Sequence, residues 1–241
     1  MNNQKSISIM LVAFASLITS SCIYVDGTVG EGSITSQQCN VSDFTGVELL
    51  GSADVEITKG DSFRVVLSDY ENLLEFWDIK VVNNTLIIQT KPFTSLITTR
   101  AKVSIVMPDQ LEKVILAGSG DIVMKSAFEN LEHANIEGSG DIVGTASAHY
   151  NTLSLLIAGS GNITLKGSVE EVNTITMGSG RMYLANLAAQ EAGCMIAGSG
   201  NVYLNVEHKL NATISGSGNI YYTGQPVITI SDNGSGSLIR Q

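Results

Sequence analysis

Residues 116–124 read Leu-Ala-Gly-Ser-Gly-Asp-Ile-Val-Met, and the central tripeptide Gly-Ser-Gly recurs through the second half of the chain. Its seven copies begin at Gly118, Gly138, Gly159, Gly178, Gly198, Gly216 and Gly234. They follow one another at intervals of 20, 21, 19, 20, 18 and 18 residues. A repeat of nearly fixed length is typical of a solenoid, in which each copy forms one coil of a stack.

The residues around each tripeptide alternate between polar and apolar, as in a strand with one face in a core. The residue after the tripeptide is polar in each aligned repeat: Asp121, Asp141, Asn162, Arg181, Asn201 and Asn219. The next is apolar: Ile122, Ile142, Ile163, Met182, Val202 and Ile220. A second inward column lies two residues before the tripeptide: Leu116, Ile136, Ile157, Thr176, Ile196 and Ile214. Each coil therefore has at least two short strands joined at Gly-Ser-Gly.

One such coil cannot bury its apolar face alone, so the coils must stack with parallel pairing between equivalent strands. The sequence thus predicts an all-β fold, a right-handed parallel β-helix with about 20 residues per coil. Glycine at the corner permits a bend, a left-handed residue or close stacking of neighbouring backbones.

The first 21 residues have the pattern of a secretory signal peptide. Lys5 gives a short basic start, and an apolar run over residues 7–18 is too short to indicate a membrane span. Small residues then precede Cys22, which resembles the lipobox of bacterial lipoproteins. The resemblance implies that Cys22 is the lipidated first residue of the mature protein. Ordinary signal-peptidase cleavage near Ser21 is the alternative.

We expect residues 22–40 to be an N-terminal tether and residues 41–241 to form the β-helix domain. The chain has a formal net charge of −10 and its Lys and Arg residues are scattered. Because nucleic-acid-binding proteins cluster these cations, no nucleic acid is expected as a partner. The two other cysteines should lie several coils apart, too far for a disulfide. Cys194 falls at an apolar position, which predicts a buried thiol.

Several segments resemble one known family. They are Phe44-Thr-Gly-Val-Glu-Leu-Leu-Gly-Ser-Ala-Asp-Val-Glu-Ile57, Tyr70-Glu-Asn-Leu-Leu74, Thr85-Leu-Ile-Ile88, the glycine repeats and Tyr222-Thr-Gly-Gln-Pro226. They are similar to the family described as "putative auto-transporter adhesin, head GIN domain". The resemblance implies a β-helix at the cell surface or in the periplasm. It supplies no catalytic residues.

Four residues are candidates for ligand binding: Asp121, Asp141 and Arg181 in the polar column, and Trp77, the only tryptophan. Calcium needs six to eight oxygen ligands, and only two of the aligned coils offer an aspartate, so no metal or cofactor is expected. Trp77 is interpreted either as an exposed docking residue or as a cap on the apolar core.

The sequence therefore predicts a non-catalytic lipoprotein that binds an unknown glycan or protein through its polar faces. We expect it to be exported and lipid-anchored in the cell envelope, in the outer membrane of a Gram-negative bacterium. One alternative is a carbohydrate-active enzyme, a lyase or hydrolase, because paired carboxylates such as Asp121 and Asp141 serve glycosidases. The other is a purely structural envelope protein.

Overall fold

The computed structural model describes residues 27–241. Of these residues, 57% lie in strands and 3% in helix, so nearly all of the ordered elements are strands. The strands are β1 Thr28–Val29, β2 Ile34–Cys39, β3 Gly46–Leu50, β4 Asp54–Lys59, β5 Arg64–Tyr70, β6 Trp77–Val82, β7 Thr85–Thr90, β8 Leu96–Ile97, β9 Lys102–Met107, β10 Lys113–Leu116, β11 Ile122–Met124, β12 His133–Ile136, β13 Ile142–Gly144, β14 Ala148–Ile157, β15 Ile163–Thr164, β16 Gly167–Thr176, β17 Met182–Ile196, β18 Val202–Ile214, β19 Ile220–Thr223, β20 Val227–Asp232 and β21 Leu238–Arg240. A 3-10 helix covers Glu71–Phe76. The predicted β-solenoid is confirmed.

Parallel strands stack in two columns, one on each side of the Gly-Ser-Gly corner. The first column runs β7, β3, β10, β12, β14, β16, β17, β18, β20. The second runs β9, β4, β11, β13, β15, β17, β18, β19, β21. Strands β14, β16, β17 and β18 are long enough to continue round a corner and also pair along a third side.

The order of the coils in the stack differs from their order in the sequence. Val47 pairs with Leu86 on one side and with Val114 on the other. The coil of β7 and β9 therefore lies beneath the coil of β3 and β4. In the chain, however, β7 and β9 come after β3 and β4. The chain then returns above its first coil and stacks upward in sequence order from β10 onward.

Antiparallel strands close the lower end of the solenoid, which we call the base. Strand β5 pairs antiparallel with β9, β2 pairs with β5, and β6 pairs with β7. Between β5 and β6 the 3-10 helix carries the buried Leu73. Within the predicted tether over 22–40, residues 34–39 form β2 and belong to the sheet. Residues 1–26, including the predicted signal peptide and Cys22, lie outside the described residues.

The inward columns predicted from the repeat form the core. All six residues after the polar column and all six before the glycines are completely buried. Cys194 is buried as predicted, and burial raises the pKa of its thiol to about 12. Both Cys39 and Cys194 are free thiols.

The glycine corners are explained by close stacking of backbones. A Cβ atom placed on Gly138 or Gly140 would overlap the backbone carbonyl of Gly118 or Gly120, one coil below. Neither needs a positive φ, since the glycines that have one lie elsewhere. The serine between the two glycines adds a backbone hydrogen bond between coils: the Ser139 N–H donates to the Gly118 carbonyl at 3.0 Å. Of the three explanations that the sequence left open, close stacking is the correct one.

Candidate ligand-binding face

The polar column forms a hydrogen-bonded ladder along the outside of the solenoid. The backbone N–H of Asp141 donates to Oδ1 of Asp121 at 2.8 Å, and the N–H of Asn162 donates to Oδ1 of Asp141 at 2.7 Å. The Asn162 side-chain amide also donates to Oδ1 of Asp141, at 2.9 Å. The aspartates are therefore satisfied by donors of the coil above. This ladder joins the side chain of each coil to the backbone of the next coil.

Arg181 interrupts this ladder. Its own N–H donates to Oδ1 of Asn162 at 3.1 Å, so the rung below it is intact. Arginine has no acceptor, and Arg181 cannot offer an oxygen to the N–H of Asn201 above it. The pattern resumes one coil later, where Oδ1 of Asn201 accepts the N–H of Asn219 at 2.8 Å. The guanidinium thus occupies a position where an asparagine or aspartate would complete the ladder.

Three tyrosines stand beside Arg181 on the same face. Tyr183, Tyr203 and Tyr221 pair in register in β17, β18 and β19. Their ring centroids are 5.4 and 4.9 Å apart and the ring planes differ by 10° and 8°. Residues two apart in a strand share a face, so each ring lies next to a residue of the polar column. We call Tyr183, Tyr203, Tyr221, Arg181, Asn201 and Asn219 the tyrosine face.

The ring edges and hydroxyls of this face are open to solvent. Tyr183 is 40% exposed, and Tyr203 and Tyr221 are half-buried. The Asn219 amide lies 3.3 Å from the Tyr221 hydroxyl. The face therefore combines aromatic edges, hydroxyls, amides and one cation. Sequence reasoning missed the tyrosines because it followed the inward positions, yet their intervals of 20 and 18 residues match the coil period.

The structure places three of the four predicted site residues in one column. Asp121 and Asp141 lie on adjacent coils, and Arg181 lies two coils above Asp141, with Asn162 between them. Trp77 is elsewhere, at the base, and it is only 6% exposed. Its indole N–H donates to Oδ2 of Asp69 at 3.0 Å. This burial favours the core-cap interpretation of Trp77 over the docking interpretation.

Asp69 is a buried carboxylate that sequence reasoning did not find. Besides the Trp77 indole, it accepts the Thr99 hydroxyl at 2.7 Å and the Arg100 backbone N–H at 3.0 Å. Buried carboxylates are normally paired or fully hydrogen-bonded, and Asp69 follows the second pattern. It holds β5, β6 and the segment before β9 together, which indicates a structural role.

Two other features bear on chemistry. In the part of the chain that the structure describes, no group of three or more His, Cys, Asp and Glu residues is placed to hold a metal ion. An open cavity of about 580 Å³ lies at the base between β2, β5 and β6, with Leu67, Trp77 and Ile79 among its walls. Cys39 also lines this cavity, and burial raises the pKa of its thiol.

Over residues 27–241, no helix has both the length and the apolarity to cross a membrane.

The family model described as "Putative auto-transporter adhesin, head GIN domain" matches residues 43–226. The chain therefore belongs to this family. Membership indicates an adhesin that is exported or at the cell surface, and it favours a non-catalytic protein.

Solved structures share the fold over almost their whole length. A protein from Bacteroides fragilis described as a putative adhesin has a TM-score of 0.79 at 20% identity, covering 89% of this chain and 100% of that chain. One from Parabacteroides distasonis described as a putative lipid binding protein has a TM-score of 0.70 at 26% identity, covering 89% and 99%. A putative adhesin from Parabacteroides merdae has a TM-score of 0.67 at 22% identity, covering 90% and 99%. No curated protein matches this chain at a significant level.

Proposed function

We propose that this protein is a non-catalytic, lipid-anchored adhesin of the cell envelope that binds a glycan through the tyrosine face. The observation that carries the proposal is Arg181. It breaks a ladder that the neighbouring coils complete with asparagine or aspartate, and it does so directly beside Tyr183. Departures from a local structural pattern without compensation are expected at functional sites.

The chemistry of the face suits a sugar chain. The edges of the stacked tyrosine rings offer apolar contact at a low cost in side-chain entropy, and each hydroxyl is a hydrogen-bonding group. Arg181 adds up to five N–H donors for hydroxyl or carboxylate oxygens, and Asn201 and Asn219 add amides. The three rings repeat at 5.4 and 4.9 Å, so the face offers similar groups at regular steps to a ligand that is itself a repeating polymer.

Competing functions have less support. The carboxylates of Asp121 and Asp141 each accept a backbone N–H from the coil above, which engages them in the ladder. A glycosidase pair instead needs one carboxyl group free to donate a proton to the leaving group. A purely structural role explains stacked tyrosines, because cross-strand aromatic pairs stabilise sheets, but it does not explain Arg181.

A glycan array tests the proposal. We expect wild-type protein to bind at least one glycan, and we expect Arg181→Asn and Tyr203→Ser to lose that binding. Asp121→Asn is the matched control, because Asp121 lies in the same column three coils below Arg181. It should leave binding unchanged. Release of reducing sugar by the wild-type protein would refute the non-catalytic assignment, and equal binding by all variants would refute the assigned face.

A further inference from the structure

Exposed apolar side chains gather at the base, around the loop between β7 and β8. Phe93 is fully exposed, and Ile97 and Val29 are also exposed. Val29 pairs with Ile97 in the small sheet of β1 and β8, so these two residues lie side by side. Phe93 lies four residues before Ile97 in the chain, and water solvates exposed apolar side chains such as these three poorly.

The loop holds Phe93 in an unusual conformation. The φ angle of Phe93 is 62°, in the left-handed region that bulky residues avoid. The loop is nevertheless fixed on both sides: the Lys91 N–H donates to the Phe76 carbonyl at 2.8 Å, and the Thr28 N–H donates to the Ser95 carbonyl at 2.8 Å. Strained residues in fixed loops are often functional. These hydrogen bonds fix the backbone on both sides of Phe93, and the Phe93 side chain faces solvent.

The short chain between this loop and Cys22 bears on which surface could cover the loop. Ser95 accepts a hydrogen bond from Thr28, which is six residues after Cys22. Six residues span at most about 21 Å when fully extended. A lipid on Cys22 would therefore keep Phe93 within a short distance of the bilayer, whatever path the intervening residues take.

The charges of the segment fit the same partner. Residues 91–100 contain Lys91 and Arg100 and no Asp or Glu, in a chain whose formal net charge is −10. Cations near the surface favour anionic lipid headgroups. The nearest acidic residues along the chain flank β1, since Asp26 precedes it and Glu31 follows it, and both lie outside the segment 91–100.

We propose that the base of the solenoid docks onto the lipid bilayer, with the Phe93 ring in the interfacial layer and Ile97 and Val29 against it. This inference rests on the lipid anchor of the proposed function.

Docking of the base also orients the molecule on the membrane. The tyrosine face begins five coils above the coil of β9, so it would stand about 24 to 34 Å from the base, where it can reach a ligand outside the membrane.

The test places a tryptophan at each end of the molecule, in two separate variants. Phe93→Trp labels the base, and Val227→Trp labels the opposite end, where Val227 is 74% exposed. Trp77 is buried and gives the same background in both proteins. Each full chain is expressed with its own signal sequence, reconstituted in vesicles of phosphatidylglycerol and phosphatidylethanolamine with brominated acyl chains, and measured by fluorescence. Mass spectrometry of the purified protein reports the lipid on Cys22 separately.

We expect the emission of the Phe93→Trp variant to shift to the blue and to be quenched by the bromines, and the emission of the Val227→Trp variant to remain unchanged. Lipid on Cys22 without quenching of the base label would overturn the docking and leave the anchor intact. Quenching of the base label on vesicles without lipid on Cys22 would support the docking and overturn the anchor.

Three further results would count against the proposal. Quenching of the label at the opposite end alone would overturn the docking. A blue shift of the Phe93→Trp variant that depends on protein concentration without vesicles would also overturn it, because the base would then be covered by a second copy of the chain. Absence of both the lipid and the quenching would overturn the docking and the anchor together.

Discussion

Arg181→Asn should make the protein more stable while abolishing its binding. The new side chain can offer Oδ1 to the N–H of Asn201, as Asn201 itself does for Asn219 at 2.8 Å. One hydrogen bond of this kind contributes about 0.5–1.5 kcal/mol to the free energy of unfolding. For a chain of this length, each 1 kcal/mol raises the melting temperature by about 2–4 °C. Thermal and urea unfolding measure both quantities.

Two further variants distinguish the effect of the new hydrogen bond on stability from the effect of losing the Arg181 charge. Arg181→Ala removes the guanidinium without adding an acceptor, and it should not stabilise the protein. Asn162→Ala removes the oxygen that accepts the N–H of Arg181, and it should destabilise the protein by about 1 kcal/mol. If Arg181→Ala stabilises as much as Arg181→Asn, charge explains the gain and the ladder argument is refuted.

Four further variants test the packing and the buried hydrogen bonds. Gly140→Ala should destabilise the protein by at least about 3 kcal/mol, because its Cβ would overlap the Gly120 carbonyl, whereas Ser139→Ala on the exposed side of the same corner should change little. Asp69→Ala should cost about 3 kcal/mol, since it leaves the buried indole N–H of Trp77 without an acceptor. Thr176→Val should stabilise by about 1 kcal/mol, because the completely buried Thr176 hydroxyl has no hydrogen-bond partner. Urea unfolding measures all of them.

Each of these expectations has a contradicting result. Equal stability of the two corner variants would show that neighbouring coils can separate and that the glycines are not required by stacking. A loss below about 1 kcal/mol for the Asp69 variant would show that water replaces the carboxylate. A loss of stability for the Thr176 variant would show that its hydroxyl has a partner that the structure does not record.

The repeat made the regular part of the fold predictable from sequence. Each coil pairs with its equivalent, so the period-2 pattern around Gly-Ser-Gly was sufficient to assign inward and outward residues. The Asn83-Asn84 pair is likewise a local signal for a tight turn, and both residues have the positive φ that such a turn requires. These features depend on local conformation or on identical neighbours.

The base could not be predicted in the same way. The coil of β7 and β9 inserts beneath the first coil, and antiparallel strands close the end, because contacts between non-equivalent segments decide their positions. Asp69 is an example: its donors come from residues 77, 99 and 100, and no local pattern connects them. The tyrosine face is different, since its period was visible in the sequence but lay in outward positions that the core does not constrain.

Hydroxyl-radical footprinting with a bound glycan tests the central claim most directly, because it reports the exposure of individual side chains. Tyrosine and methionine both react, and the exposed Met177 and Met195 lie outside the tyrosine face. The account predicts that a glycan identified on the array protects Tyr183 and Tyr203 and leaves Met177 and Met195 unchanged. Protection of the two methionines with unchanged tyrosines would contradict it.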